Sequence, residues 1–146
     1  MMFFGNEFFS FTTIAYSSGI ADSVGKVARE KGYVSYNVDD RSGKGWKGSS
    51  AKVDKEVDIL SWEYEQDLDA VQWDMVWASP PCTACSTAQN MNRGVSAAQL
   101  KKADEVVRKV LEIIEFLKPR VAYIENPYGG SNSLRKRGIV PLQGLG

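Results

Sequence analysis

Residues 74–82 read DMVWASPPC and residues 96–126 read SAAQLKKADEVVRKVLEIIEFLKPRVAYIEN. Met75 to Ala78 is a short apolar run behind Asp74. It must leave a sheet at Ser79-Pro80-Pro81, because proline donates no ladder hydrogen bond. Ser96 with Gln99 forms a capping box, the signature of a helix start. Leu100, Ala103, Val107, Val110, Leu111, Ile114 and Leu117 then recur at helical spacing as one apolar stripe, and Pro119 ends the helix. Val121 to Ile124 is a second strand, closed by Glu125-Asn126-Pro127. Strand, long helix and strand in this order predict parallel pairing, because parallel neighbours need a crossover of this kind.

The same alternation extends toward the N-terminus. Ser10 to Tyr16 is β-branched and aromatic and reads as a strand. Ala21 to Lys31 places Ala21, Val24, Val27 and Ala28 at helical spacing, and Gly32 follows as a stop. Tyr33 to Val38 is a second strand running into Asp39-Asp40. Arg41 to Ser50 is a Gly-, Ser-, Lys- and Arg-rich loop, and Val57 to Leu60 reads as a third strand. There is no internal repeat and no linker, so residues 1–146 are expected to form a single domain. The predicted class is α/β, a mostly parallel sheet with helices on both faces. Such sheets bind ligands at the carboxyl ends of their strands. That rule gathers Ser17-Ser18-Gly19, Asp39-Asp40, Asp58, Ser79-Pro80-Pro81-Cys82 and Glu125-Asn126 on one rim.

Composition narrows the chemistry. The chain has 146 residues, 43% of them hydrophobic and 25% charged, the balance of a globular domain able to bury its own core. Lys+Arg and Asp+Glu number 18 each, so bulk charge excludes a strongly basic nucleic-acid wrapper. Charge is uneven all the same: residues 41–56 hold five bases and two acids, and residues 57–75 hold six acids and no base. No apolar run reaches the roughly 18 residues of a membrane span. The opening MMFFGNEFF lacks a basic region and carries Glu7, a poor secretory signal. Two cysteines three residues apart point to a reducing, cytoplasmic setting. Histidine is absent, which removes Ser-His and Cys-His dyads and histidine zinc sites; no metal is expected.

Cys82, held on a Pro-Pro turn just past a strand, is the strongest neutral-pH nucleophile available. Its ordinary alternative is a small buried hydrophobe. Cys82-Thr83-Ala84-Cys85 is also a C-x-x-C, which leaves a thiol-disulfide oxidoreductase as an alternative. Residues 19–26 miss the phosphate-loop pattern, with five residues between Gly19 and Gly25 and Val27 where Ser or Thr should bind magnesium. Glu125 beside Asn126 suits the planar edge of a base, and otherwise reads as a polar turn. Asp39 is placed to accept from ribose hydroxyls and Asp58 from an exocyclic amine, although singly each is an ordinary turn residue. Arg135-Lys136-Arg137 is a short basic cluster, either a solvated face or a phosphate contact.

In combination these pieces resemble a known family. Ala78-Ser79-Pro80-Pro81-Cys82 with Ser86 is similar to the Pro-Cys nucleophile loop of DNA cytosine-5 methyltransferases. Glu125-Asn126-Pro127 resembles their Glu-Asn-Val motif. Ser23-Val24-Gly25-Lys26-Val27-Ala28, the strand ending in Asp39, and Asp58-Ile59 resemble the cofactor half, in the same order and spacing. The nearest flavour is the compact branch of phages and large DNA viruses. The resemblance implies a Rossmann-like methyltransferase fold, S-adenosylmethionine as cofactor, and methylation of a flipped-out DNA cytosine. It implies Cys82 as the nucleophile at C6 and Glu125 at N3, with Asn126 bracing the loop. Tyr16, Ser17, Gly19, Asp39, Asp58, Ser79 and Pro80 would serve the cofactor. Pro81, Ser86, Asn126, Arg135 and Arg137 would serve the substrate.

The chain also departs from the family. The first turn, Tyr16-Ser17-Ser18-Gly19, has one glycine where the family has two, and Asp22 stands near it. Thr83 and Cys85 replace the usual Gln and aromatic. The sequence runs only a short way past Glu125-Asn126-Pro127, so no target-recognition domain is expected in it. A degenerate enzyme completed by a homodimer or partner chain is therefore expected, with a catalytically inactive binding module as the alternative. The setting would be intracellular, in a host cell for a viral or phage protein.

Overall fold

A computed structural model describes residues 10–15, 22–41, 52–69, 72–80, 94–126, 134 and 137–139. The elements in chain order are β1 (Ser10–Ala15), α1 (Asp22–Glu30), β2 (Val34–Asp39), β3 (Lys55–Glu56), a 3-10 turn (Ile59–Ser61), α2 (Tyr64–Leu68), β4 (Met75–Ser79), α3 (Ala97–Leu117) and β5 (Val121–Ile124). The strands form one sheet in the order β3-β2-β1-β4-β5. Every pairing is parallel, with Ile14 beside both Val38 and Ala78, and Ala78 beside Ile124. β1 lies in the middle of the sheet, and from it the chain moves outward through β2 to β3, then crosses back to β4. The direction of winding thus reverses at the β1–β4 gap, the kind of switch point where α/β sheets open a crevice.

Period-two alternation gives the sheet two different faces. Val76 and Ala78 on β4, Val38 on β2, and Ala122 and Ile124 on β5 share one core with Val106, Val110, Ile113, Ile114 and Leu117 of α3. Trp62, Tyr64, Leu68 and Trp73 close this core beside the sheet. Each of their polar tips is satisfied, as buried aromatics require. The Trp73 indole donates to the Leu68 carbonyl at 3.2 Å, the Trp62 indole to Asp67 at 2.6 Å, and the Tyr64 hydroxyl to Glu112 at 2.8 Å. Lys109 also bonds Glu112 and lies over the Tyr64 ring, tying α2 to α3.

The capping box at the start of α3 is present. The Ser96 hydroxyl accepts from the Gln99 N–H at 3.2 Å, and the Gln99 carbonyl oxygen accepts from the Ser96 N–H at 2.9 Å. The helix ends at Lys118, which takes a left-handed φ of 45° and donates to the Ile114 carbonyl, just before Pro119. The buried stripe is wider than the spacing suggested. Val106 and Ile113 are fully buried too, because α3 packs against both the sheet and the aromatic cluster.

α1 covers the opposite face, against β1 and β2. Here the approach is made through small residues: Gly25 and Ala28 are buried, and Val27, expected in the core, is 53% exposed. A Cβ on Gly25 would strike the side chain of Asn37, which is itself fully buried on β2. Gly25 is therefore required by close approach, and the buried line of the helix runs through 25 and 28 instead of 27.

Around residues 55–68 one expectation is corrected and one unforeseen element appears. The third strand is Lys55–Glu56 and not Val57–Leu60. Its ladder ends where the Val57 N–H bonds the Asp39 carbonyl, and Asp58 then caps the 3-10 turn by accepting from the Leu60 N–H at 3.0 Å. The apolar residues of 57–60 look strand-like because Ile59 is core, but a tight turn carries it there. Helix α2 is the second difference, a short element whose burial of Tyr64 and Leu68 emerges only once α3 is beside it. Among the described residues no helix is long and apolar enough to cross a membrane.

Candidate functional site

All strands being parallel, their carboxyl ends lie on one edge. The register aligns three polar residues there in a single cross-strand row. Ala15 is beside Ser79, and one step beyond the Ile14–Val38 and Ala78–Ile124 pairs come Asp39 and Glu125. With strands about 4.8 Å apart, Asp39, Ser79 and Glu125 span roughly three strand spacings. All three share the parity of Asn37, Trp77 and Tyr123, so they belong to the face opposite α3.

Asp39 is 1% exposed, and its carboxylate accepts from the Arg41 N–H at 2.6 Å. Arg41 achieves this with a left-handed φ of 52°, which a non-glycine residue adopts only when local bonds hold it there. Its side chain lies 3.5 Å from Glu56, next to Asp39 in the sheet. The end of β2 is thus an acidic corner built on a tight turn. Asp58 is exposed just beyond it; one of its oxygens serves the Leu60 N–H and the other is left for a second donor.

On β4, the Ser79 hydroxyl accepts from the Trp77 indole at 3.0 Å. Trp77 packs in turn on Tyr123 of β5, with ring centroids 5.8 Å apart. The contact fixes the Ser79 oxygen as acceptor toward Trp77 and leaves its hydrogen to point elsewhere. Pro80 is buried immediately after. On β5, the Glu125 N–H continues the ladder to the Ala78 carbonyl at 2.8 Å, and its side chain is exposed. Asn126 follows, with both amide atoms buried and neither hydrogen-bonded.

The remaining sequence-predicted residues fall into two groups. Tyr16, Ser17, Gly19, Pro81, Cys82, Cys85, Ser86 and Arg135 lie outside the described residues. Arg137 is described, and it is ion-paired with Asp104 of α3 beside the small cluster of Leu134 and Val107. Its guanidinium pins the chain onto α3, well inside the molecule's own packing. Of the residues the structure does describe, Asp39, Ser79, Pro80, Glu125 and Asn126 come together along the carboxyl edge. Asp58 stands at its β3 end.

Trp77 is the residue that reading by motif missed. The signal was present in the alternation of Val76, Trp77, Ala78 and Ser79: Trp77 must share a face with Ser79. Among the described residues no cluster of three or more carboxylates, cysteines or histidines could hold a metal ion.

No protein-family model matches the chain. Over 88 residues the chain is 36% identical to a probable DNA (cytosine-5)-methyltransferase of Frog virus 3 (isolate Goorha), a match covering 55% of this chain and 41% of that protein. The chain therefore spans about two fifths of the length of the relative it matches.

Proposed function

We propose, on the premise that the chain resembles a viral DNA cytosine-5 methyltransferase, that it carries out S-adenosylmethionine-dependent methylation of cytosine C5 in DNA. The observation that carries this reading is the row of Asp39, Ser79 and Glu125 along one carboxyl edge. It brings a cofactor-side acid and a substrate-side acid onto the same rim, with the strand reversal between them. The order β3-β2-β1-β4-β5 also equals the first five positions of the Rossmann order, which supports the Rossmann-like methyltransferase fold.

The residues present suit the cofactor. Asp39, Glu56 and Asp58 make the β2–β3 end acidic, which favours ribose hydroxyls, an adenine amine and a cationic donor. Asp39 would hold the ribose and Asp58 the amine. S-adenosylmethionine, when bound, supplies an electrophilic methyl group. The chain's own work is to make cytosine C5 a nucleophile. The Cys82 thiolate adds to C6 while Glu125 delivers a proton to N3, and the electron pair of the C5–C6 bond moves to C5. After methylation the C5 proton leaves to solvent, Cys82 is expelled from C6, and the N3 proton returns to Glu125. A positioned acid of this kind contributes about 10²–10⁴-fold. DNA phosphates need basic groups, and the acidic edge repels them. In this reading the duplex backbone is held away from this rim, by basic groups elsewhere in the protein, in a second copy or in a partner chain.

The experiment is tritium transfer from labelled S-adenosylmethionine to unmethylated DNA, with covalent trapping on 5-fluorocytosine DNA. Slow transfer is expected from the isolated chain and faster transfer from an assembled form. Cys82→Ser should abolish trapping and Cys85→Ala should spare it. Equal loss from both changes, together with insulin reduction by the parent chain, would overturn the methyltransferase reading in favour of thiol-disulfide exchange.

A further inference from the structure

The outer surface of α3 carries charge that helix stability does not call for. A helix dipole favours acids at the start and bases at the end. α3 has no acid in its first turn and no base in its last turn before the Lys118 cap. Its exposed bases Lys101, Lys102 and Arg108 come early, with Glu105 the one exposed acid among them, and the exposed acids Glu112 and Glu115 come later. None of these three bases has an acidic partner among the described residues. The other acid of the stretch, Asp104, is one turn from both Lys101 and Arg108. Arg137 pairs with it, both side chains partly buried, beside Leu134 and Val107. Arg137 thus neutralises Asp104, and the bases on the surface are left opposed only by Glu105. Lys109 turns away to Glu112, where α2 brings its Tyr64 hydroxyl.

We propose that Lys101, Lys102 and Arg108 form a strip that holds the phosphate backbone of DNA beside the rim. The inference rests on the methyltransferase reading above. α3 ends just before β5 begins, at the amino edge, and packs back across the sheet, so its start faces the carboxyl edge. Lys101 and Lys102 lie near that start, on the β4–β5 side of the row. The acidic corner of Asp39, Glu56 and Asp58 is at the other end of the order β3-β2-β1-β4-β5. Lys101 and Arg108 are two turns apart, so they project from one side of the helix about 10 Å apart along its axis. Each DNA strand presents a phosphate about every 3.4 Å of axis, so the two bases reach different phosphates. Such contacts fix register and orientation and read no sequence. One end of the rim therefore repels the duplex backbone while α3 draws it to the other, where Glu125 stands.

The test measures binding of the full chain to two unmethylated duplexes across a salt series, one containing cytosine and one of A·T pairs only. Lys101→Gln/Lys102→Gln/Arg108→Gln is compared with Lys26→Gln/Lys31→Gln/Lys118→Gln, which removes the same charge from exposed positions elsewhere. Both variants change only exposed side chains, so both should melt close to the parent. The slope of log affinity against log salt should shrink by about 2–3 in the α3 variant, equally on both duplexes, and by much less in the comparison variant. An equal shrinkage in both variants would show an effect of bulk charge and would overturn the inference. So would an unchanged slope in the α3 variant, or a loss confined to the cytosine-containing duplex. Each of these results leaves the methyltransferase reading standing. A parent chain that binds neither duplex would overturn that reading, and this inference with it.

Discussion

The two faces of the sheet are built from the same five strands and do opposite things. The face toward α3 is dry: Val38, Val76, Ala78, Ala122 and Ile124 meet Val106, Val110, Ile113 and Leu117. The buried Thr12 hydroxyl on β1 is settled on the Tyr36 carbonyl at 3.1 Å. The opposite face carries Asn37, Asp39, Trp77, Ser79, Tyr123 and the position of Glu125. Besides the close approach of α1 and the Trp77–Tyr123 ring contact, it carries side-chain hydrogen bonds: Arg29 donates to Ser35 at 2.9 Å, and Trp77 donates to Ser79 at 3.0 Å. Apolar area supplies the stability of a fold, and it is insensitive to direction. Hydrogen bonds add little net stability each but fix direction. One face therefore holds the sheet and the other aims its side chains.

Substitutions should separate these roles. Ile113→Ala empties a fully buried position on the dry side and should cost about 2–5 kcal/mol in urea unfolding, with any covalent trapping on 5-fluorocytosine DNA unchanged in the folded fraction. A loss of trapping in the folded fraction would mean that the dry face also aims the site. Gly25→Ala forces a Cβ against the buried Asn37 side chain. Overpacking of this kind costs about 1–3 kcal/mol, enough to outweigh the better helix propensity of alanine. A more stable Gly25→Ala would show that the polar face yields more easily than its burial implies.

Trp77→Phe keeps the ring beside Tyr123 and deletes the donor to Ser79. Stability should fall by about 0.5–1.5 kcal/mol, while S-adenosylmethionine affinity, read by titration, falls beyond what that loss explains. Unchanged affinity would remove Trp77 as the residue that positions Ser79.

The smallest effect is acid sensitivity at the dry side's rim. The Trp62 indole and then the Lys55 ammonium hold the Asp67 carboxyl below its ordinary value of 3.8. Lys109 and then Tyr64 do the same for Glu112, below 4.5. A folded pKa below the unfolded one stabilises above the unfolded value and is lost as pH falls through the folded value. Stability should thus hold above about pH 4.5 and decline below it. Both groups are partly solvated, so each contributes under about 1 kcal/mol. Asp67→Asn should flatten that acid decline in pH-dependent unfolding.

Much of this architecture was legible in the chain itself. The capping box at Ser96, the stripe of α3, the strand before Ser79-Pro80 and the strand before Glu125 are local patterns, and helices and strands answer to local periodicity. The rim of Asp39, Ser79 and Glu125 followed from a topological rule applied to those strands, before any contact was known. Two local readings failed, one to a competing local bond and one to packing. Ile59 is core, yet a capped turn carries it there, because Asp58 found a nearer partner in the Leu60 N–H. Val27 was replaced at the interface by Gly25, because a buried Asn37 needed the room. The pairing of Arg137 with Asp104 joins residues far apart in sequence. Periodicity reports which way a side chain points, and only packing decides what it meets.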